Sequence, residues 1–158
     1  MAFQEPQALN SVAAFHQLFD APIESKAIIP APDRCALRVS LLQEELNELK
    51  EAIDNNDLVE VADALCDLQY VLSGAILEFG LGEQFKALFD EVQRSNMSKA
   101  CDTIEEAEAT AEHYRTNKNT PCRIGQKGRQ YVVYRIPDNK VLKNIHYSPA
   151  DIVGKMNV

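Results

Sequence analysis

The chain has 158 residues, room for one core domain with a small appendage. Its composition is ordinary for a globular protein, with 46% hydrophobic and 25% charged residues. The 24 Asp and Glu against 16 Lys and Arg give a formal charge of -8, which argues against nucleic acid as a partner and, at first sight, against a polyanionic substrate. No apolar run reaches the length of a membrane span, and the opening MAFQEPQALN lacks a basic stretch followed by an apolar one. The four cysteines (Cys35, Cys66, Cys101, Cys122) show no zinc spacing and fit a reducing compartment, so a cytoplasmic protein with no membrane partner is expected.

In chain order, the first expected helix is Ser11–Phe19, with Val12, Phe15, Leu18 and Phe19 on one side. Residues 20–32 hold Pro22, Pro30 and Pro32 and read as an irregular connection. Asp33 is expected to N-cap a long helix running to Asp54. Asn55-Asn56-Asp57 interrupts the pattern, and a second long helix follows over Leu58–Phe79, closed by Gly80 and Gly82. A fourth spans Glu83–Ser98, with Phe85, Leu88, Phe89 and Val92 at helical spacing. Thr103-Ile104-Glu105-Glu106 reads as a capping box that opens a fifth, acidic helix to Thr116. Residues 130–136 (QYVVYRI) and 140–147 (KVLKNIHY), separated by Pro137-Asp138-Asn139, predict a β-hairpin. The expected fold class is all-α. A bundle of four to five helices occupies residues 1–116, and a small hairpin-like C-terminal extension over 117–158 packs on the same domain.

The informative residues are acids on the two long helices. On the first, Glu45 and Glu48 fall within the arc that carries Leu42, Leu46, Leu49 and Ile53, and Glu44 lies at its edge. Lys50, Asn47, Ser40 and Glu51 occupy the opposite, solvated side. On the second, Glu60, Asp63 and Asp67 share a face, and from Val61 to Leu77 the only charges are Asp63 and Asp67. That helix is expected to be buried nearly all round. Carboxylates on buried faces without lysine or arginine to pair with them call for an outside cation. Mg²⁺ meets the need, with oxygen ligands drawn from carboxylates and substrate phosphates. Glu45, Glu48, Asp63 and Glu60 are the candidate ligands. Glu44 is either a ligand or part of a solvated face, and Glu60 has a second reading in a capping box with Asp57. Asp67 is a ligand, a partner of one, or an acid paired with a distant base. Arg38 lies on the same face as Glu45, and Arg34 one turn earlier. The run Arg94-Ser95-Asn96-Met97-Ser98-Lys99 ends the fourth helix, where Lys99 also suits the helix dipole.

This pattern resembles the all-α nucleoside triphosphate pyrophosphohydrolases, the MazG-like and phosphoribosyl-ATP pyrophosphohydrolase-like proteins. The residues that carry the resemblance are Phe15-His16, Arg38, Glu44-Glu45-Leu46-Asn47-Glu48, Glu60-Val61-Ala62-Asp63 and Asp67-Leu68-Gln69-Tyr70. The segments Ser95–Lys99, Asp138–Lys143 and Tyr147-Ser148-Pro149 extend it into the tail. The resemblance implies Mg²⁺-dependent hydrolysis of a nucleoside or deoxynucleoside triphosphate to the monophosphate and pyrophosphate, as in nucleotide-pool house-cleaning, with Mn²⁺ as a substitute ion. It implies Glu44, Glu45, Glu48, Glu60 and Asp63 as the metal set, with Glu45 or Glu48 orienting the attacking water. Arg38 and Lys99 then face the phosphates, Asn96 a phosphate or sugar oxygen, and His16 the nucleobase. A homodimer or homotetramer is implied too. The competing readings are hydrolysis of phosphoribosyl-ATP in histidine synthesis and a non-catalytic, nucleotide-binding helical dimer.

Overall fold

A computed structural model describes residues 2–156. The elements are α1 (Ala8–Leu18), α2 (Pro32–Asp54), α3 (Leu58–Glu78), α4 (Phe85–Met97), α5 (Ile104–Lys118), β1 (Cys122–Lys127), β2 (Gln130–Arg135) and a 3-10 turn at Val153–Lys155. The fold is helical with one small antiparallel sheet, as expected. Among the described residues no helix is long and apolar enough to cross a membrane. By packing, the chain divides into a unit ending at Lys86 and a second unit from Ala87 to Met156. The division read from sequence at residue 116 follows the change from helix to strand, whereas α5 packs with the strands.

In the first unit α3 packs against both α1 and α2. Asp57 caps α3, its Oδ1 accepting the backbone N–H groups of Val59 and Glu60. The helix ends on Gly80, in the left-handed region at φ 66°. The Gly80 and Leu81 N–H groups return to the Leu77 and Ile76 carbonyls, which satisfies two of the last free acceptors. A Cβ on Gly80 would collide with the Lys26 carbonyl oxygen, so the irregular connection before α2 also requires glycine here. That connection is tied to the same helix end by Glu24 N–H to Leu77 O and Ile28 N–H to Phe79 O.

Two expectations change in this unit. Asp33 does not cap α2. Pro32 occupies the first turn after Ala31, where its fixed φ suits a helix start, and Asp33 sits one residue inside. Nor is α3 buried nearly all round, and the apolar arc of α2 is largely uncovered as well. The buried residues of α2 are Arg38 and Ala52, while Val39, Leu46, Ile53, Leu58, Val59 and Leu65 are exposed. Three helices cover one side of each other, and the buried residues of α3 are Ala64 and, toward its end, Ser73, Gly74, Ile76, Leu77 and Glu78. On α1, Val12 and His16 face inward, while Phe15, Leu18 and Phe19 remain exposed.

In the second unit Cys101, Ala107, Ala111, Cys122, Val133 and Leu142 form the buried core. Small residues on α5 let the strands approach, and Tyr114, Ile124 and Tyr131 close the edges. Thr103 caps α5 through the Glu106 N–H, while the Glu106 carboxylate reaches back to the Asp102 N–H, so the expected capping box forms one residue wider. The hairpin lies earlier than expected. β1 pairs with β2 from Cys122–Arg135 to Lys127–Gln130 around the loop Gly128-Arg129, with Gly128 at φ 61°. Residues 140–147 contribute one bridge, Val141 to Tyr134, because Asp138 folds back onto Arg135 and the chain then leaves the sheet. All four cysteines are free thiols.

Candidate active site

α2 and α3 are joined by Asn55-Asn56-Asp57, so residues equally far from Asn56 face each other. Arg34 meets Glu78, Arg38 lies against Gly74, and Glu45 stands opposite Asp67. Two clusters of opposite character result, one at each end of the helix pair.

Near the connection, Glu48, Glu51, Asn55, Asp57, Glu60 and Asp63 line a cleft of about 350 Å3 floored by Ala52 and Ala64. The buried alanines let the helices approach while the acids stand at the rim. The structure therefore gathers Glu48, Glu60 and Asp63 at one opening. It adds Glu51, which the sequence reading put on the solvated side. Glu51 lies one turn beyond Glu48, and that spacing was the available signal. Glu60 carries no side-chain hydrogen bond among the described residues, so its capping role does not form; Asp57 alone performs it.

Glu45, one turn before Glu48 on α2, is half-buried, and its Oε2 is buried without a hydrogen-bond partner. Burial, then the charges of Asp67, Glu48, Glu44 and Asp63, push the Glu45 carboxyl above its ordinary pKa. Glu44 is exposed and lines a different groove, with Ser40, Gln43 and Asn47. Asp67 is exposed, and its charge is the largest felt by Glu45.

An all-oxygen, acceptor-only donor set with one orphaned buried oxygen is the chemistry a hard divalent cation satisfies. In the conformation described, no three His, Cys, Asp or Glu side chains among the described residues converge closely enough to enclose a bare ion. The set therefore fits an ion that keeps part of its water shell and takes further oxygens from a ligand.

At the other end, Arg38 is buried and donates to Glu78 Oε1 at 2.6 Å and to His16 Nε2 at 3.3 Å. Arg34 pairs with the same Glu78 oxygen. Because Arg38 donates to Nε2, the His16 proton sits on Nδ1, which donates to the Pro22 carbonyl at 2.8 Å. Burial pushes the Glu78 carboxyl up, but the hydrogen bonds and charges of Arg38 and Arg34 outweigh it and hold the pKa below its ordinary value. Arg38 and His16, candidates for phosphate and base, are thus engaged with Glu78 and with each other. Glu78 itself was missed, although its distance from Asn56 matches that of Arg34. Asn96 and Lys99 lie in the second unit, where Lys99 Nζ donates to Asn96 Oδ1 at 2.7 Å.

The chain matches the phosphoribosyl-ATP pyrophosphohydrolase family over residues 12–96, a span that holds most of α1, all of α2 and α3 and nearly all of α4. It belongs to that family, which lies within the MazG-like nucleoside triphosphate pyrophosphohydrolase superfamily. Pyrophosphohydrolase chemistry is the general activity this membership indicates. The chain is also similar to the uncharacterized protein L479 of Acanthamoeba polyphaga mimivirus, 22% identical over an alignment of length 228 that covers 87% of this chain and 91% of that protein.

Proposed function

We propose that the protein hydrolyses a nucleoside or deoxynucleoside triphosphate to the monophosphate and pyrophosphate, using Mg²⁺ held by Glu45, Glu48, Glu60 and Asp63, with Glu44 adding negative charge from the neighbouring groove. The observation that carries this reading is Glu45, half-buried with an unpartnered oxygen among four other carboxylates. Leaving such a group unmatched costs about 1–3 kcal/mol, so the site is built for something that binds to it. When bound, the ion supplies Lewis-acid polarisation of the phosphates and neutralises charge on the departing pyrophosphate. Glu48, at the rim of the cleft, orients a water toward the α-phosphorus and takes its proton as the new P–O bond forms and the α–β anhydride bond breaks. Asp67, opposite Glu45, helps to hold the cation near it.

The family's name supports a second substrate, phosphoribosyl-ATP, whose α–β anhydride is cleaved by the same steps. The exposed Leu46, Ile53, Leu65 and Leu72 on α2 and α3 support a homodimer or homotetramer built on those helices. The deciding assay offers ribo- and deoxyribonucleoside triphosphates and phosphoribosyl-ATP with Mg²⁺ or Mn²⁺, and scores pyrophosphate and monophosphate. Glu48→Ala and Asp63→Ala are each expected to lower turnover at least 100-fold at unchanged helix content. Undiminished turnover in both variants refutes the assignment.

A further inference from the structure

The formal charge of -8 conceals a basic segment in the second unit. Residues 115–143 hold eight Lys and Arg and a single acid, Asp138. That acid is already paired with Arg135, whose side-chain bond brings the Asp138 carboxyl down to about 2. The segment therefore carries a strong excess of positive charge, with the Asp102 carboxylate bonded to Gln130 as a neighbouring acid.

The sheet sorts these residues by face. Cys122, Ile124, Tyr131 and Val133 belong to the core, so alternation turns Arg123, Lys127, Val132 and Tyr134 to the other face. Arg123 pairs across the strands with Tyr134, and its guanidinium lies over the Tyr134 ring at 4.5 Å from the centroid. Arg123 Nη2 also donates to Asn139 Oδ1 at 2.9 Å. Gly125, the next outward residue on β1, makes room for the Tyr134 ring: a Cβ there would stand 3.0 Å from it. Lys127 and Arg129, toward the loop end, are exposed and pair with no carboxylate among the described residues.

We infer that this outer face binds single-stranded nucleic acid. A planar guanidinium held over an aromatic ring by a hydrogen bond to Asn139 presents a ready stacking surface for an unpaired base. Lys127 and Arg129 lie farther along the same hairpin, placed for successive backbone phosphates. An exposed hairpin face with a stacking plane suits splayed, unpaired bases. The expectation of no nucleic-acid partner rested on the charge of the whole chain, and the hairpin runs counter to it locally.

The test is fluorescence anisotropy with a fluorescein-labelled oligothymidylate of twenty nucleotides and the full chain. Three neutralised phosphates give a log–log salt slope of about -2, so affinity should fall about 20-fold between 50 and 200 mM NaCl. The triple variant Arg123→Glu, Lys127→Glu, Arg129→Glu should abolish the 50 mM signal. Lys127→Glu alone, a change at an exposed side chain, should weaken it several-fold at unchanged circular dichroism. None of these residues lines the acid cleft, so nucleotide turnover serves as a control and the binding readout stands without it. Absence of binding at 50 mM salt, wild-type binding by the triple variant, or tighter binding of the matching duplex would overturn the inference.

Discussion

Replacing Glu78 by Gln tests whether the buried ion cluster or the apolar contacts hold α1, α2 and α3 together. The Glu78 side chain is 1% exposed, and those of Arg38 and Arg34 are 9% and 33% exposed. Arg34 can turn to water once its partner is neutral, but Arg38 cannot, so the loss is dominated by one uncompensated buried guanidinium. Breaking a buried pair in this way costs about 3–5 kcal/mol, a large share of the roughly 5–15 kcal/mol that a domain of this size has. At roughly 2–4 °C per kcal/mol, Tm should fall by about 10 °C. Circular dichroism during thermal and urea unfolding of Glu78→Gln reads this directly. A second variant, Glu78→Leu with Arg38→Met, removes both charges and should recover more than half of the loss, because the stranded charge goes with its partner. A loss below about 1 kcal/mol in Glu78→Gln, or no recovery in the double variant, refutes the reasoning. The sign with pH follows from the same contacts. The folded pKa of Glu78 is lowered, so its stabilisation is complete above the ordinary carboxylate pKa and is lost as the pH falls through the depressed one.

Other outcomes follow from single contacts. Gly74→Ala would put a Cβ 2.7 Å from Arg38 Nη1 and 3.1 Å from His16 Nε2, so it should cost about 1–3 kcal/mol by displacing Arg38. Glu45→Gln removes a charge from among carboxylates, and without divalent ions it should raise Tm while erasing the stabilisation that added Mg²⁺ gives the parent chain; differential scanning calorimetry decides. In the second unit, Arg94 and the Asp151 N–H hold the Glu91 carboxyl down to about 2. Its grip on the tail should therefore persist until the pH approaches that value, and Glu91→Gln should speed hydrogen exchange at the Asp151 amide at pH 6.

The helices were legible because their signals are local: the Asp57 cap, Gly80 after α3 and the Thr103 capping box are each written in a few adjacent residues. The acid face of α3 was legible for the same reason. What the sequence hid depends on which surfaces find a neighbour. Helical spacing put Leu46 and Ile53 on an apolar arc, yet in a three-helix unit nothing covers them. The same arc counting sent Glu51 to solvent, although the inter-helix cleft opens on its side. The pairing of Arg38 with Glu78 was hidden because the two lie forty residues apart. The hairpin was misplaced by one segment. Pro137-Asp138-Asn139 looks the stronger turn, but Gly128-Arg129 is a two-residue loop that closes strands of equal length, and sheet pairing rewards that match.

The mirror pairing about Asn56 makes the α2–α3 hairpin a ruler with two marks. One mark is the ion cluster of Arg34, Arg38 and Glu78, and the other is the carboxylate cleft. Extra residues between Asp54 and Asp57 would lengthen only the connection and leave both marks aligned. One residue inserted between Arg38 and Glu44 would turn one cluster about 100° relative to the other, so that seating the arginines on Glu78 would swing the acids away from α3. Length changes in this chain should therefore be tolerated at the connection and rejected inside the helices, however polar and exposed the insertion point.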